Sequence, residues 1–373
     1  MSDSSDSLRF VILAEGLFGP HSSKTASACI RYTPERVVAV IDSTQAGRTA
    51  QDVLGFGGAI PIVATLEEAL HRAPNALLIG IAPPGGQLPA AWRATILAAV
   101  DRKLALWSGL HFFLSDDAEI AARARAAGVA IHDLRKPPTD LPVSSGRVRE
   151  IDGRATVVLT VGSDCNIGKM TTQLQVRDAL RARGVPVAFA ATGQTGILIE
   201  GWGISVDAVV ADFIGGAAER LVLQAADRAD LILVEGQGSI IHPSYSGVTF
   251  GLIHGSLPHA MVLCTQPTRT AIRRQEWVPI PSLSDLVRMH EAVAAPLRPA
   301  PVIAIAMNTF DLSEDEAREA IRRAEEETGL PATDPVRFDP SPVVDAIVSF
   351  HRTRLGARAV GDGASASGVH ARA

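Results

Sequence analysis

The chain of 373 residues is 47% hydrophobic and 20% charged at a net charge of −5, the proportions of a globular chain long enough for two domains with their own cores. Its 35 basic residues are scattered without dense blocks, which argues against nucleic acid or a membrane surface as partner, and no window approaches the roughly 18 apolar residues that span a bilayer. Cys29, Cys165 and Cys264 form no CxxC pair and MSDSSDSLRFVILAEGLFG lacks a basic leader, so a reducing compartment, the cytoplasm, is expected.

In chain order, RFVILA, RVVAVI, ALLIGIA and LALW read as buried strands, with TLEEALHRA and PAAWRATILAAVDRK as helical stretches between them. Strands alternating with helices predict a parallel sheet covered on both faces, a Rossmann-like α/β domain over residues 1–140. The polar, proline-containing segment Asp133 to Arg154 marks the boundary. Beyond it ATVVLTV, VPVAFAA, DLILVEG, HAMVLCT and PVIAIAMN take the strand role, and SEDEAREAIRRAEEETG is an amphipathic helix. These predict a second parallel-sheet domain of P-loop NTPase type over 141–355. The small, polar end of the chain, 356–373, reads as a disordered tail.

The first domain offers little chemistry. LAEGLFGPHSSKTA has Gly16 and Gly19 but no GxGxxG, so a nicotinamide cofactor is not supported. IGIAPPGGQLP and WSGLHFFLSDD read as connectors, because glycine and proline make turns more often than sites. The second domain is richer. ATVVLTV runs into Gly162, Ser163, Asp164, Cys165, Asn166, Ile167, Gly168 and Lys169, followed by the helical stretch MTTQLQVRDALRARG. Glycines let backbone amides approach a phosphate, the helix N-terminus adds a positive dipole end, and the lysine adds a mobile cation. Five residues separate the glycines where four are common. Together with VEGQGS, the loop resembles dethiobiotin synthetase and its nucleotide-binding relatives, which tolerate the longer form. Their magnesium-binding hydroxyl directly follows the lysine; here Met170 stands there, and Thr171 is rotated about 100° further round a helix. Phosphate binding is expected and magnesium-dependent phosphoryl transfer is placed in doubt. No metal is expected.

Glu235 ends a predicted buried strand and precedes a loop with Gly236, Gly238, Ser239, His242, Ser244 and Tyr245. Ligands of open parallel sheets gather at that end, so Glu235 and His242, with Tyr245 beside them, are the catalytic candidates: a base and an orienting partner. The alternative makes Glu235 a metal ligand or capping acceptor, with His242 packed beneath its proline. Gln194 and Thr195, in ATGQTG, follow the next strand, where a second side of the site would form. Asp207 and Asp212, in VDAVVADF, fit a strand or a helical turn, and of these Asp212 is the substrate-binding candidate, with solvated or capping roles as the alternative. Arg269, with Arg273 and Arg274, is placed to fork a substrate carboxylate, with a solvated helix face as the alternative. Asn308, after PVIAIAM, is the candidate for reading a nucleotide base.

Taken in order, IGIAPPGG, SGLHFFL, GSDCNIGKMTT, ATGQTG, VDAVVADFIGGAAE, VEGQGSIIHPSYSGVTFGLIHGS and MNTF resemble a bacterial family whose named members are D-glutamate N-acetyltransferases. The likeness runs from about Arg9 to Leu355. Members often carry an NAD-dependent epimerase or dehydratase label, which the missing fingerprint contradicts here. The resemblance implies an enzyme that moves an acetyl group from acetyl-CoA to the amine of an acidic amino acid, D-glutamate. CoA carries a pyrophosphate and a 3′-phosphate, so such an enzyme needs a phosphate cradle without needing to activate the phosphates. The competing classes are an ATP- and magnesium-dependent ligase or kinase of an acidic small molecule, and a non-catalytic nucleotide-binding protein. A small-molecule substrate and a homo-oligomer are expected.

Overall fold

Each apolar run that reads as a strand forms one, and each predicted helical stretch contains a helix. The computed structural model describes residues 8–20, 22–81 and 88–365, with side chains of the last helix as far as Gly356. The chain divides into a first unit, Met1–Pro138 with Gly193–Ala208, and a second, Thr139–Thr192 with Val209–Ala373.

In the first unit, β1 (Phe10–Leu13), β2 (Val37–Ile41), β3 (Ile62–Val63), β4 (Ala76–Ile79), β5 (Ala105–Ser108) and β6 (Ile131–Asp133) form one parallel sheet, ordered β3-β2-β1-β4-β5-β6. The strand order reverses between β1 and β4, which opens a crevice at their carboxyl ends. Helices Lys24–Tyr32, Ala90–Asp101 and Ala118–Ala127 pack with it, the last capped by Asp117, which accepts from Ile120 N at 2.9 Å. Residues 193–208 were expected in the second domain, yet their helix, Gln194–Glu200, belongs to the first unit. Leu198 joins that unit's core and the Thr195 hydroxyl lies 3.3 Å from that of Thr25.

The second unit is built on β7 (Thr156–Gly162), β8 (Val187–Ala190), β9 (Leu231–Val234) and β10 (Ala260–Thr265). A hairpin of β11 (Ala271–Ile272) and β12 (Gln275–Pro279) follows, then β13 (Val302–Met307) and β14 (Ala332–Thr333). The parallel sheet is ordered β14-β13-β10-β7-β9-β8. Every residue of β7 is buried, as the β-branched run TVVLTV requires of a central strand covered on both faces. Helix Glu314–Thr328 starts with a capping box between Ser313 and Glu316 and ends at Gly329, with φ 69°. The boundary segment is fastened by the buried Glu219 carboxylate, which accepts from Ser144 Oγ, Ser145 N and Arg147 N at 2.8–3.3 Å.

VDAVVADF forms two 3₁₀ turns, Val206–Ala208 and Ala211–Phe213. Residues 82–87, the middle of the IGIAPPGGQLP connector, lie outside the described residues. The last helix, Ser341–Ser365, takes in the start of the expected tail, whose remainder is likewise outside them. Among the described residues no helix is long and apolar enough to cross a membrane.

Candidate functional site

Three segments of the second unit meet at the carboxyl end of β7. The first is the phosphate loop, which leaves β7 at Gly162 and enters helix Lys169–Ala182. Asn166 and Gly168 take left-handed φ values of 54° and 111°, a bend that favours glycine at 168. Gly168 caps the helix and supplies no side-chain cap. Lys169 is buried against the loop, and its Nζ donates to the Asp164 carbonyl oxygen at 2.7 Å. Met170 is buried at the place of the expected hydroxyl. Thr171 is half-buried, and the Thr172 hydroxyl lies 3.7 Å from the sulfur of Cys264, a thiol pushed up to about 11 by burial. The Thr172 hydroxyl is therefore turned to Cys264, and the position that directly follows the lysine carries no hydroxyl.

Asp164 organises the loop. It is fully buried; its Oδ1 accepts from Cys165 N at 2.6 Å, and its Oδ2 accepts from Arg269 Nη1 and Arg273 N at 2.9 Å each. Arg269 also donates to Cys165 O at 2.8 Å and to Gln266 Oε1 at 2.7 Å. Its fork is thus engaged in holding the loop rather than open to a substrate carboxylate. A buried aspartate beside a phosphate site needs such a counter-charge, because an unpaired one would be costly and would repel the ligand.

The second segment follows β9. Glu235 is buried, with Oε2 accepting from Thr192 N at 2.9 Å and Oε1 from Gln237 Nε2 at 3.3 Å. The Thr192 hydroxyl donates in turn to the Glu235 carbonyl at 2.7 Å. At Gly236 a Cβ would sit 1.8 Å from the Thr160 carbonyl oxygen, so only glycine lets this backbone cross β7; its N–H donates to Thr160 Oγ1 at 2.9 Å. Ser239 Oγ donates to Ser163 O at 3.2 Å and ties the segment to the phosphate loop.

His242, expected to pair with Glu235, instead faces Asp164, with its Nε2 3.9 Å from Oδ1. Ser244 N–H donates to Nδ1 at 3.1 Å, so the neutral ring carries its proton on Nε2. In this arrangement His242 is a hydrogen-bond donor at the loop rather than a base. The exposed Tyr245 ring lies over it, 4.6 Å between centroids. Asp164, Cys165 and His242 offer three donor atoms within 4.8 Å of one another. They suit a cation poorly: a metal on Nε2 would require Nδ1–H to face the Ser244 N–H, and Arg269 already neutralises Asp164.

The third segment follows β13. Asn308 packs beside the phosphate loop: a Cβ on Gly168 would lie 3.9 Å from that of Asn308. Three substrate candidates are not among the residues of these segments. Gln194 and Thr195 belong to the first unit, where Gln194 packs on Gly109. Asp212 is exposed on its turn, and Asp207, also in the first unit, pairs with Arg135. Sequence reasoning missed Thr192, Gln237 and the organising role of Asp164. The acidic residue inside a glycine-lysine phosphate loop was the available signal for the last.

The chain matches a P-loop domain model, Domain of unknown function (DUF1611_C), over residues 142–344 and a Rossmann-like domain model, DUF1611_N, over 43–137. It is 41% identical over 290 residues to a D-glutamate N-acetyltransferase of Tritonibacter scottomollicae, covering 76% of this chain and 84% of that protein. A D-glutamate N-acetyltransferase of a Pseudoalteromonas species is 35% identical over 283 residues, covering 76% and 82%. The crystal structure of a DUF1611 family protein from Anabaena variabilis superposes with a TM-score of 0.86 at 40% identity, covering 92% of this chain and 99% of that one. The chain belongs to the DUF1611 family, with a Rossmann-like and a P-loop domain, to which the matched D-glutamate N-acetyltransferases are its relatives.

Proposed function

We propose that the protein is an acyltransferase that moves the acetyl group of acetyl-CoA to the amine of D-glutamate. The observation that carries the reading is the phosphate loop with Lys169 in place and Met170 where a magnesium-binding hydroxyl belongs. Such a loop can hold phosphates and has no call to activate them, which suits a CoA thioester and not an ATP-dependent transfer. The names of the relatives from Tritonibacter and Pseudoalteromonas support the acetyl donor chemistry and D-glutamate as acceptor.

The chemical step is direct attack of the amine on the thioester carbonyl. An α-ammonium must first lose a proton, and Glu235 is the acceptor for it: His242 has its proton on Nε2 and its other nitrogen engaged. The C–N bond forms first and gives a tetrahedral oxyanion; its collapse breaks the C–S bond, the second proton of the amine passes to the leaving thiolate, and CoA leaves as its thiol while Glu235 returns the first proton to solvent. His242 Nε2–H and the backbone amides of 237–239 are the donors near the loop for the oxyanion, the Gly236 N–H being held by Thr160. A covalent route through Cys165 has one observation in its favour, the closeness of its sulfur to His242 and Asp164. Against it, the His242 tautomer cannot accept the thiol proton.

Release of CoA thiol, followed with D-glutamate and L-glutamate in wild type and in Cys165→Ser, tests both points. The expected result is D-glutamate-dependent release, sequential kinetics, and activity within a few-fold of wild type in Cys165→Ser. Acetyl-CoA binding without acceptor-dependent release would overturn the D-glutamate assignment; ping-pong kinetics with an inactive Cys165→Ser would overturn direct transfer.

A further inference from the structure

The β11–β12 hairpin touches the phosphate loop at its tip. Ile272 pairs with Gln275, so Arg273 and Arg274 are the two turn residues between them. Arg273 N–H reaches Asp164 Oδ2 at 2.9 Å, which fixes the tip against the loop that Lys169 ends. Both side chains are exposed. Neither guanidinium makes a hydrogen bond or ion pair among the described residues, whereas that of Arg269, four residues earlier, makes three hydrogen bonds. In a chain of net charge −5, two adjacent arginines with one carboxylate beside them, that of Glu276 at Arg274 N, leave a net positive charge at this point.

The backbone at the tip is unusual. Arg274 has φ 67°, while Arg273 does not enter the left-handed region. A turn with positive φ at its second central residue calls for glycine, because a Cβ there is strained. Arg274 N–H donates to Glu276 Oε1 at 3.2 Å, which any residue but proline could do at 274. The arginine side chain therefore gives the fold nothing that offsets its strained position, and strain retained without local benefit points to a ligand.

We infer that the Arg273–Arg274 tip is a second anion subsite, which takes the 3′-phosphate of CoA; the inference rests on the acetyl-CoA reading above. CoA presents its pyrophosphate and its 3′-phosphate at separate points, and the phosphate loop accounts for only one of them. Two guanidinium groups carried by adjacent turn residues match a phosphate monoester, which carries about −1.5 to −2 charge, better than the single charge of a carboxylate.

The test is calorimetric titration of CoA and of 3′-dephospho-CoA into wild type, Arg273→Ala and Arg274→Gly. Wild type should prefer CoA by about tenfold or more. Each variant should bring that ratio towards one while leaving dephospho-CoA affinity unchanged. A melting temperature of Arg274→Gly at or above wild type separates lost binding from lost folding, since glycine removes the strain. Equal binding of the two ligands in wild type, or a preference retained in both variants, overturns the subsite and leaves the acetyl-CoA reading standing. Retained preference with a raised KM for D-glutamate also overturns it and moves the arginines to the acceptor. No binding of either ligand overturns the acetyl-CoA reading and the subsite together.

Discussion

The two units present the same architecture with opposite uses of their buried acids. At the carboxyl edge of the first sheet Asp42 is fully buried, and it closes its own neighbourhood: it accepts from Phe18 N at 2.9 Å, Thr44 N at 3.0 Å and Thr44 Oγ1 at 2.6 Å. Glu15 likewise accepts from Ser43 N at 2.9 Å and from its hydroxyl. An acid after β2 is where a dinucleotide ribose would be read, and here its oxygens are already taken. At the edge of the second sheet Asp164 and Glu235 instead join segments that are distant in the chain, to Arg269 and Thr192 respectively. A parallel sheet supplies a crevice in both units. What makes one of them a candidate site is that its polar groups converge from several loops around a lysine.

That contrast is sharpest in catalysis. Glu235→Gln should lower kcat by about 10²–10⁴-fold with the fold intact, because it removes the proton acceptor. Asp42→Asn should leave kcat within a few-fold and lower stability by about 1–3 kcal/mol, the cost of leaving a buried donor unpaired. A folded Asp42→Asn protein as inactive as Glu235→Gln would contradict the contrast between the two acids.

Stability offers the next comparison. Arg269→Met leaves the Asp164 carboxylate buried and uncompensated, and urea unfolding should report a loss of about 3–5 kcal/mol. Arg93→Met in the first unit breaks pairs with Asp117 and Glu119 that are partly open to solvent, and should barely move the midpoint. Equal effects would mean that the Asp164 pair is an ordinary surface contact.

A smaller effect is set by pH. His290 of the second unit is buried, which pushes its pKa down to about 4, and its Nε2 has no partner among the described residues. The unfolded chain, with an ordinary value near about 6.5, takes up the proton first, so this stability is intact above that pH and is lost as pH falls towards 4. The loss is up to about 3 kcal/mol. His290→Leu should flatten the stability profile across that window; an unchanged slope would assign it to other groups.

The sequence made the strands, the two sheets and the phosphate loop legible, because buried parallel strands are continuous apolar runs and the loop is local. It did not reveal β3, β6 or β14, which at two or three residues are too short to carry a period. Nor did it reveal which carboxylate faces His242. Spacing favoured Glu235, seven residues away, but the chain turns so that Asp164 lies opposite the ring. Arg269 looked open to substrate because its acidic partner is 105 residues upstream. Residues 193–208 sit in the second domain's stretch of chain yet pack with the first unit, a crossing that hydrophobic patterning does not encode. Local backbone features can be read from residue type; pairing across loops cannot.

The central claim is that the second unit's phosphate loop holds CoA through Lys169 without a metal. Titration of acetyl-CoA into wild type and Lys169→Ala, both in excess EDTA, tests it directly. The account predicts binding by wild type under chelation and affinity lower by about 10–100-fold in a folded Lys169→Ala protein, the worth of one charge-assisted contact. Unchanged affinity in Lys169→Ala, or wild-type binding that appears only when magnesium is restored, would contradict it.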